Sequence, residues 1–121
     1  MNKVDILQKN LQKLKNDSDV IGSAISSKNG LVMATDLPEG MDRNSFCAMA
    51  GSLFHGIQTA ASAIGKHGVR HAVTNIGNEL FIAHLCGNSA ILLVNAQSSI
   101  ELEPFMQEIS STANTIGTVV G

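Results

Sequence analysis

The chain has 121 residues, a net charge of −2 and a charged fraction of only 15%, against about 25% in an ordinary soluble domain. That length fits one domain, residues 1–121, able to bury roughly two-thirds of its unfolded surface without disulfides or a metal. The weak net charge, the absence of Trp and Tyr and a total of four Phe exclude a strong electrostatic draw on nucleic acid and a stacking platform for bases.

The N-terminus, Met1-Asn2-Lys3-Val4-Asp5, is not followed by the apolar core of a secretory leader, so none is expected. Residues 3–16 place Val4, Leu7, Leu11 and Leu14 on one stripe, with Lys3, Lys9, Lys13 and Lys15 elsewhere, which predicts a short amphipathic helix with a solvated basic face. Two apolar runs between residues 19 and 35 flank Lys28-Asn29-Gly30, and the Asn-Gly pair predicts a β-hairpin closed by a type I′ turn. The run Asp36-Leu37-Pro38-Glu39-Gly40 ends the second strand in a loop.

Asp42 then caps a long helix expected to run to about Lys66, with Gly68 just past its end and Lys66 and His67 opposing the helix dipole. Residues 44–64 carry no Asp, Glu, Lys or Arg. The polar residues Asn44, Ser45, Ser52, His55, Gln58, Thr59 and Ser62 argue against a membrane span, because lipid offers them no partners. At about 100° per residue, Phe46, Met49, Ala50, Leu53, Ile57, Ala60 and Ile64 share the face expected to meet the chain's own sheet. The opposite face holds Ala48, Gly51, Ser52, His55, Thr59, Ser62 and Ala63, where a surface helix would carry Lys and Glu. Small uncharged residues let another helix come close, so this face is the expected contact with a partner.

Three strands follow: Val69 to Ile76, Glu79 to Cys86 after a Gly77-Asn78 turn, and Ser89 to Asn95 after Gly87-Asn88. The last two are apolar on both faces and need helices on both sides. The first, with Arg70, His71, Thr74 and Asn75, suits a sheet edge. Ser98-x-x-Glu101 has the form of a capping box, but Pro104 places the last helix start near Leu102 or Glu103, with the stripe Leu102, Met106, Ile109, Ala113 and Ile116. The order is α-β-β-α-β-β-β-α: an α+β fold with a five-stranded antiparallel sheet, the long helix on one face and the terminal helices on the other.

Catalytic and cofactor motifs are not found. No phosphate-binding glycine loop occurs, and no Ser or Cys sits in a nucleophile motif. His67 and His71 have a chelating spacing, but Gly68 interrupts a helix between them, so no metal site is expected. His55 and His84 read as polar residues satisfied in packed surroundings. Arg70 reads as an edge charge, the alternative being a cation offered to another protein's phosphoryl-transfer site. Cys47 and Cys86 lie in apolar runs without metal or redox spacing, which reads as buried, reduced thiols and a cytoplasmic location.

The segment Val20-Ile21-Gly22-Ser23-Ala24-Ile25-Ser26-Ser27-Lys28-Asn29-Gly30-Leu31-Val32 resembles the opening hairpin GAxxxSxxGLxxA of the Roadblock family (roadblock/dynein light chain type). The resemblance extends through Asp36 to Gly40, the Ala- and Gly-rich helix and the three-strand meander, from about Val4 to Ile116. It implies a profilin-like sandwich that dimerises through the third strands and long helices. It therefore adds Arg70, Ala72 and Thr74 to the helix-face residues Ala48, Gly51, Ser52, His55, Thr59, Ser62 and Ala63 as an expected homodimer interface.

The resemblance further implies a regulator or scaffold of Ras-like small GTPases, like the prokaryotic members that partner a cell-polarity GTPase. It supplies no catalytic residues and no cofactor. A nucleotide-independent structural adaptor is the alternative, and a small-molecule sensor is a third class.

Overall fold

The computed structural model describes residues 2–121. Helix α1 (Lys3–Asp17) is followed by strands β1 (Val20–Ser27) and β2 (Val32–Asp36), helix α2 (Arg43–Ala63), strands β3 (His71–Ile76), β4 (Glu79–Cys86) and β5 (Ala90–Gln97), and helix α3 (Leu102–Val120). The strands form one antiparallel sheet in the order β2-β1-β5-β4-β3, which puts β3 on an edge as its polarity implies. Together with the helix placement this is the expected α+β sandwich.

Strand alternation divides the apolar residues between two layers. Ile25, Ile82, Leu92 and Val94 meet Leu7, Leu11 and Leu14 of α1 and Phe105, Ile109, Ala113 and Ile116 of α3. On the other side Ala24, Ala83, Ile91 and Leu93 meet Cys47, Ala50 and Phe54 of α2. Central β5 is buried from Ala90 to Ala96, as its two-sided apolar sequence requires. Cys47 and Cys86 are buried free thiols in opposite layers.

Local chemistry sets the element ends. Asn2 caps α1 by accepting from the Asp5 N–H at 2.9 Å. The expected type I′ turn is not formed: Gly30 takes φ 85°, but no residue other than glycine has positive φ among the described residues. The Gly30 N–H donates to Ser27 O at 3.0 Å and the Ser27 N–H to Leu31 O at 2.8 Å. That is a three-residue loop ending in a left-handed glycine, and the register slips between Ile25 and Ser26.

The α2 terminus also differs from expectation. The Gly65 N–H donates to Ser62 O (3.0 Å) and the Lys66 N–H to Ala61 O (2.8 Å), a Schellman motif with Gly65 at φ 75°. The helix therefore stops before Gly68, and Lys66 and His67 lie beyond its last turn. Ser98 and Glu101 form no capping box. Glu101 is the cap of α3 without a side-chain bond, and Pro104 falls in the first turn, where the missing N–H costs nothing. The stripe of α3 gains Phe105, while Leu102 is exposed; Val4 is exposed on α1. Among the described residues no helix is long and apolar enough to cross a membrane.

Candidate functional site

Helix α2 rests on the sheet through a narrow seam of Cys47, Ala50, Gly51 and Phe54, not through the wider stripe read from the sequence. The seam is rotated towards the small-residue face because the helix lies close to its own hairpin. A Cβ on Gly51 would stand 3.1 Å from Gly30 Cα, and one on Gly30 would stand 3.0 Å from Ala48 Cα. Two facing glycines permit that approach. The helix thereby lies mainly over β1, β2 and β5, reaches β4 at Ala83 and Phe81, and leaves the β3 end of the same sheet face uncovered.

The uncovered region is a trough of about 550 Å³. Phe46, Met49 and Leu53 form its helical wall, Thr74, Ile76 and Phe81 its strand side. The Phe46 and Phe81 rings stand 5.4 Å apart, tilted by 42°. Met49 is 71% exposed, Ile76 58% and Leu53 44%, and the row of apolar residues continues to Ile64 at 73%. A row of large apolar residues this exposed is uncommon on the surface of a folded chain.

The trough borders the free edge of β3. The Leu85 N–H donates to Arg70 O at 2.8 Å. Bonded pairs alternate along an antiparallel ladder, so Ala72, Thr74 and Ile76 also turn their backbone groups to β4. His71, Val73 and Asn75 turn theirs outward, away from the sheet. Side chains follow the cross-strand partners: Ala72 and Thr74 share the α2 face with Ala83 and Phe81, and His71 and Val73 share the α3 face with His84 and Ile82.

Each expected interface residue has a definite place. Gly51 is buried against its own hairpin and is unavailable to a partner, which corrects that expectation. Ala48, Ser52, His55, Thr59, Ser62 and Ala63 are exposed. His55 is therefore not the packed histidine expected; with Gln58 it lines a notch beside Lys28 and Asn29. By helical rotation these residues look to the hairpin and to solvent rather than over the trough. Ala72 and Thr74 are half-buried on the edge strand, and Arg70 is exposed at its root. The trough itself was not expected: the helical spacing assigns Met49 and Leu53 to the chain's own sheet, and Ile76 reads only as the end of the edge strand.

Candidate chemistry is sparse. Among the described residues no three His, Cys, Asp or Glu side chains gather to hold a metal. Burial pushes the Cys86 thiol up to about 12 and raises that of Cys47, so both stay protonated and poorly nucleophilic. Among the described residues His84 is the one buried histidine, at 3% exposure. Its Nδ1 meets Leu85 O at 2.8 Å and its Nε2 meets Ser110 Oγ at 3.0 Å. Desolvation lowers its pKa, a backbone bond to Leu85 partly opposes this, and the nearby His71 and Arg70 lower it further.

Comparison with known proteins agrees with this architecture. A family model described as the Roadblock/LC7 domain matches residues 6–96. No curated protein matches the chain in sequence. Among solved structures, Myxococcus xanthus MglB superposes with a TM-score of 0.90 at 13% identity, covering 97% of this chain and 89% of that one. A Roadblock/LC7 domain from Streptomyces avermitilis superposes at 0.86 with 17% identity, covering 93% and 96%. Acanthamoeba castellanii profilin II superposes at 0.66 with 17% identity, covering 95% and 99%, so the sandwich is profilin-like.

Proposed function

The chain belongs to the Roadblock/LC7 family, and from that premise we propose that it is a homodimeric binding module that regulates or scaffolds a Ras-like small GTPase and catalyses nothing itself. The whole of residues 1–121 acts as one such domain, and its two buried free thiols suit the reducing cytoplasm. The single observation that carries the reading is the apolar trough lying against an unpaired strand edge. Either feature alone is a liability; side by side they are what a second copy covers by extending the sheet and laying its helix alongside.

The pairing has a definite register. A two-fold axis normal to the sheet keeps both α2 helices on one face and pairs side chains that point the same way. Val73 opposite the partner copy's same strand position, with His71 opposite the Asn75 position, uses all three outward residues. Ala72 and Thr74 then meet across the axis beneath the two helices. The helical contact runs through Met49, Leu53, Ile57, Ala60 and Ile64. The exposed residues Ala48, Ser52, His55, Thr59, Ser62 and Ala63 are left as a second, uncharged flank, with Arg70 at the end of each edge strand.

Sedimentation over a micromolar concentration series tests the dimer; a monomer throughout would remove the basis of the reading. Binding to a purified Ras-like GTPase, loaded in turn with GDP and with a non-hydrolysable GTP analogue, tests the partner. Preference for one nucleotide state is expected. Equal binding to both would favour the nucleotide-independent adaptor.

A further inference from the structure

We propose that His84, with His71 stacked on it, forms a proton-sensitive latch at the root of the edge strand, holding α3 and β3 together when the His84 ring is neutral and loosening them when it is charged. Only the last step, an effect on pairing of β3 with a second copy, rests on the self-association reading above.

His84 sits where three elements meet. Its Nδ1 faces the Leu85 carbonyl at 2.8 Å, and because a carbonyl only accepts, Nδ1 carries the hydrogen. Nε2 is then the acceptor for the Ser110 hydroxyl of α3 at 3.0 Å. The ring also takes a place in the strand ladder. Leu85 donates its N–H to Arg70 O, but the return bond from the Arg70 N–H to Leu85 O is not made, and the Leu85 carbonyl is occupied by the ring instead. His71, the cross-strand partner, stacks on His84 with centroids 5.5 Å apart and planes 19° from parallel. One side chain thus joins α3, β4 and the first residues of β3.

A second proton on His84 would sit on Nε2 and force the Ser110 hydroxyl to rotate so that its oxygen accepts instead of donating, and it would place a charge on a ring that is 3% exposed with no carboxylate bonded to either nitrogen. The surrounding groups do not compensate. Arg70 and His71 face it from β3; β5 offers Leu92 across the ladder; α3 offers Ser110. Cys86, two residues along β4, stays a neutral thiol. One carboxylate, Glu103, shares the groove outside His71 and forms no salt bridge among the described residues. Folding disfavours the proton on His84, so the latch is fully held above the ordinary histidine range near 6.5 and loses ground as pH falls below it.

The test measures the full chain at about pH 7.5 and about pH 5.5, the interval that histidine spans. Amide exchange, corrected for intrinsic rates, is read at Arg70 to Val73, Leu85 and the middle of α3, and self-association is read by sedimentation. On acidification protection at those amides falls, and the dissociation constant of the pair rises by up to about tenfold, the ceiling for one proton taken up on separation by a group with an ordinary histidine pKa near 6.5. His84→Asn retains a donor for Leu85 O and cannot titrate, so its exchange and dissociation constant change less than about twofold across the interval.

Wild-type protection that ignores pH, or a His84→Asn protein that keeps the full acid response, overturns the latch. Should His84→Asn fail to fold, His71→Asn, at an exposed position, shrinks the acid response by removing the facing charge, and an unaltered response overturns the proposal. A chain that is monomeric at both pH values but loses protection at Arg70 to Val73 supports the latch while defeating the dimer, so the two failures are separable.

Discussion

Asp42 shows how a single side chain fixes an element. One carboxylate oxygen accepts from the N–H groups of Asn44 (3.1 Å) and Ser45 (3.2 Å), and the other from the Ser45 hydroxyl (3.1 Å). The backbone bond from Ser45 is the main cause holding its carboxyl below the usual range, with the hydroxyl bond next. A depressed carboxyl pKa contributes stability above the unfolded value of 3.8 that is lost as pH falls through the folded one. Asp42→Ala therefore lowers the thermal midpoint at neutral pH, and the gap from wild type narrows in strong acid; a gap equally wide at both would refute the cap. The two cysteines give a second residue-scale test. Buried thiols with raised pKa values react with a disulfide reagent no faster than the chain unfolds. Rapid native labelling of either would show that its layer opens.

At the scale of elements, α3 lies against the turn between β4 and β5 where only glycine fits. A Cβ on Gly117 would stand 2.8 Å from Gly87 N and 3.2 Å from its Cα. Gly117→Ala must push the helix off the turn and costs about 1–3 kcal/mol, the usual range for overpacking, as read by denaturant unfolding. All eight elements and the edge position of β3 were legible from apolar periodicity and Gly-Asn punctuation. The orientation and fine closure of α2 were not. The periodicity assigns Gly51 to a partner-facing side and Met49 and Leu53 to the sheet, whereas Gly51 packs on the chain's own hairpin and Met49 and Leu53 stand exposed beside the seam. Periodicity locates faces but does not say which one the chain itself covers. The Asn29-Gly30 turn failed for a similar reason: Asn tolerates positive φ without requiring it, and the bulge at Ile25–Ser26 absorbed the extra residue.

For the whole molecule, the expected interface separates the two flanks of α2. Leu53→Asp, at a 44% exposed position over the trough, leaves the monomer folded but raises the dissociation constant at least about 100-fold, since a charge is trapped without a partner. Thr59→Asp on the other flank leaves it within about threefold. Sedimentation with circular dichroism as the folding control distinguishes the two, and the reverse ranking would place the contact on the small-residue flank. The opposite margin of the sheet bears on how far assembly can proceed. Strand β2 is only five residues long, Gln8 of α1 donates to the Thr35 carbonyl at 2.7 Å, and Lys15 reaches Asp36 at 3.9 Å. A ribbon open at both ends would accrete subunits into fibrils. With that border short and overlain by its own helix, the proposed pairing through β3 would halt accretion at two, a closed particle that stays dispersed at high concentration.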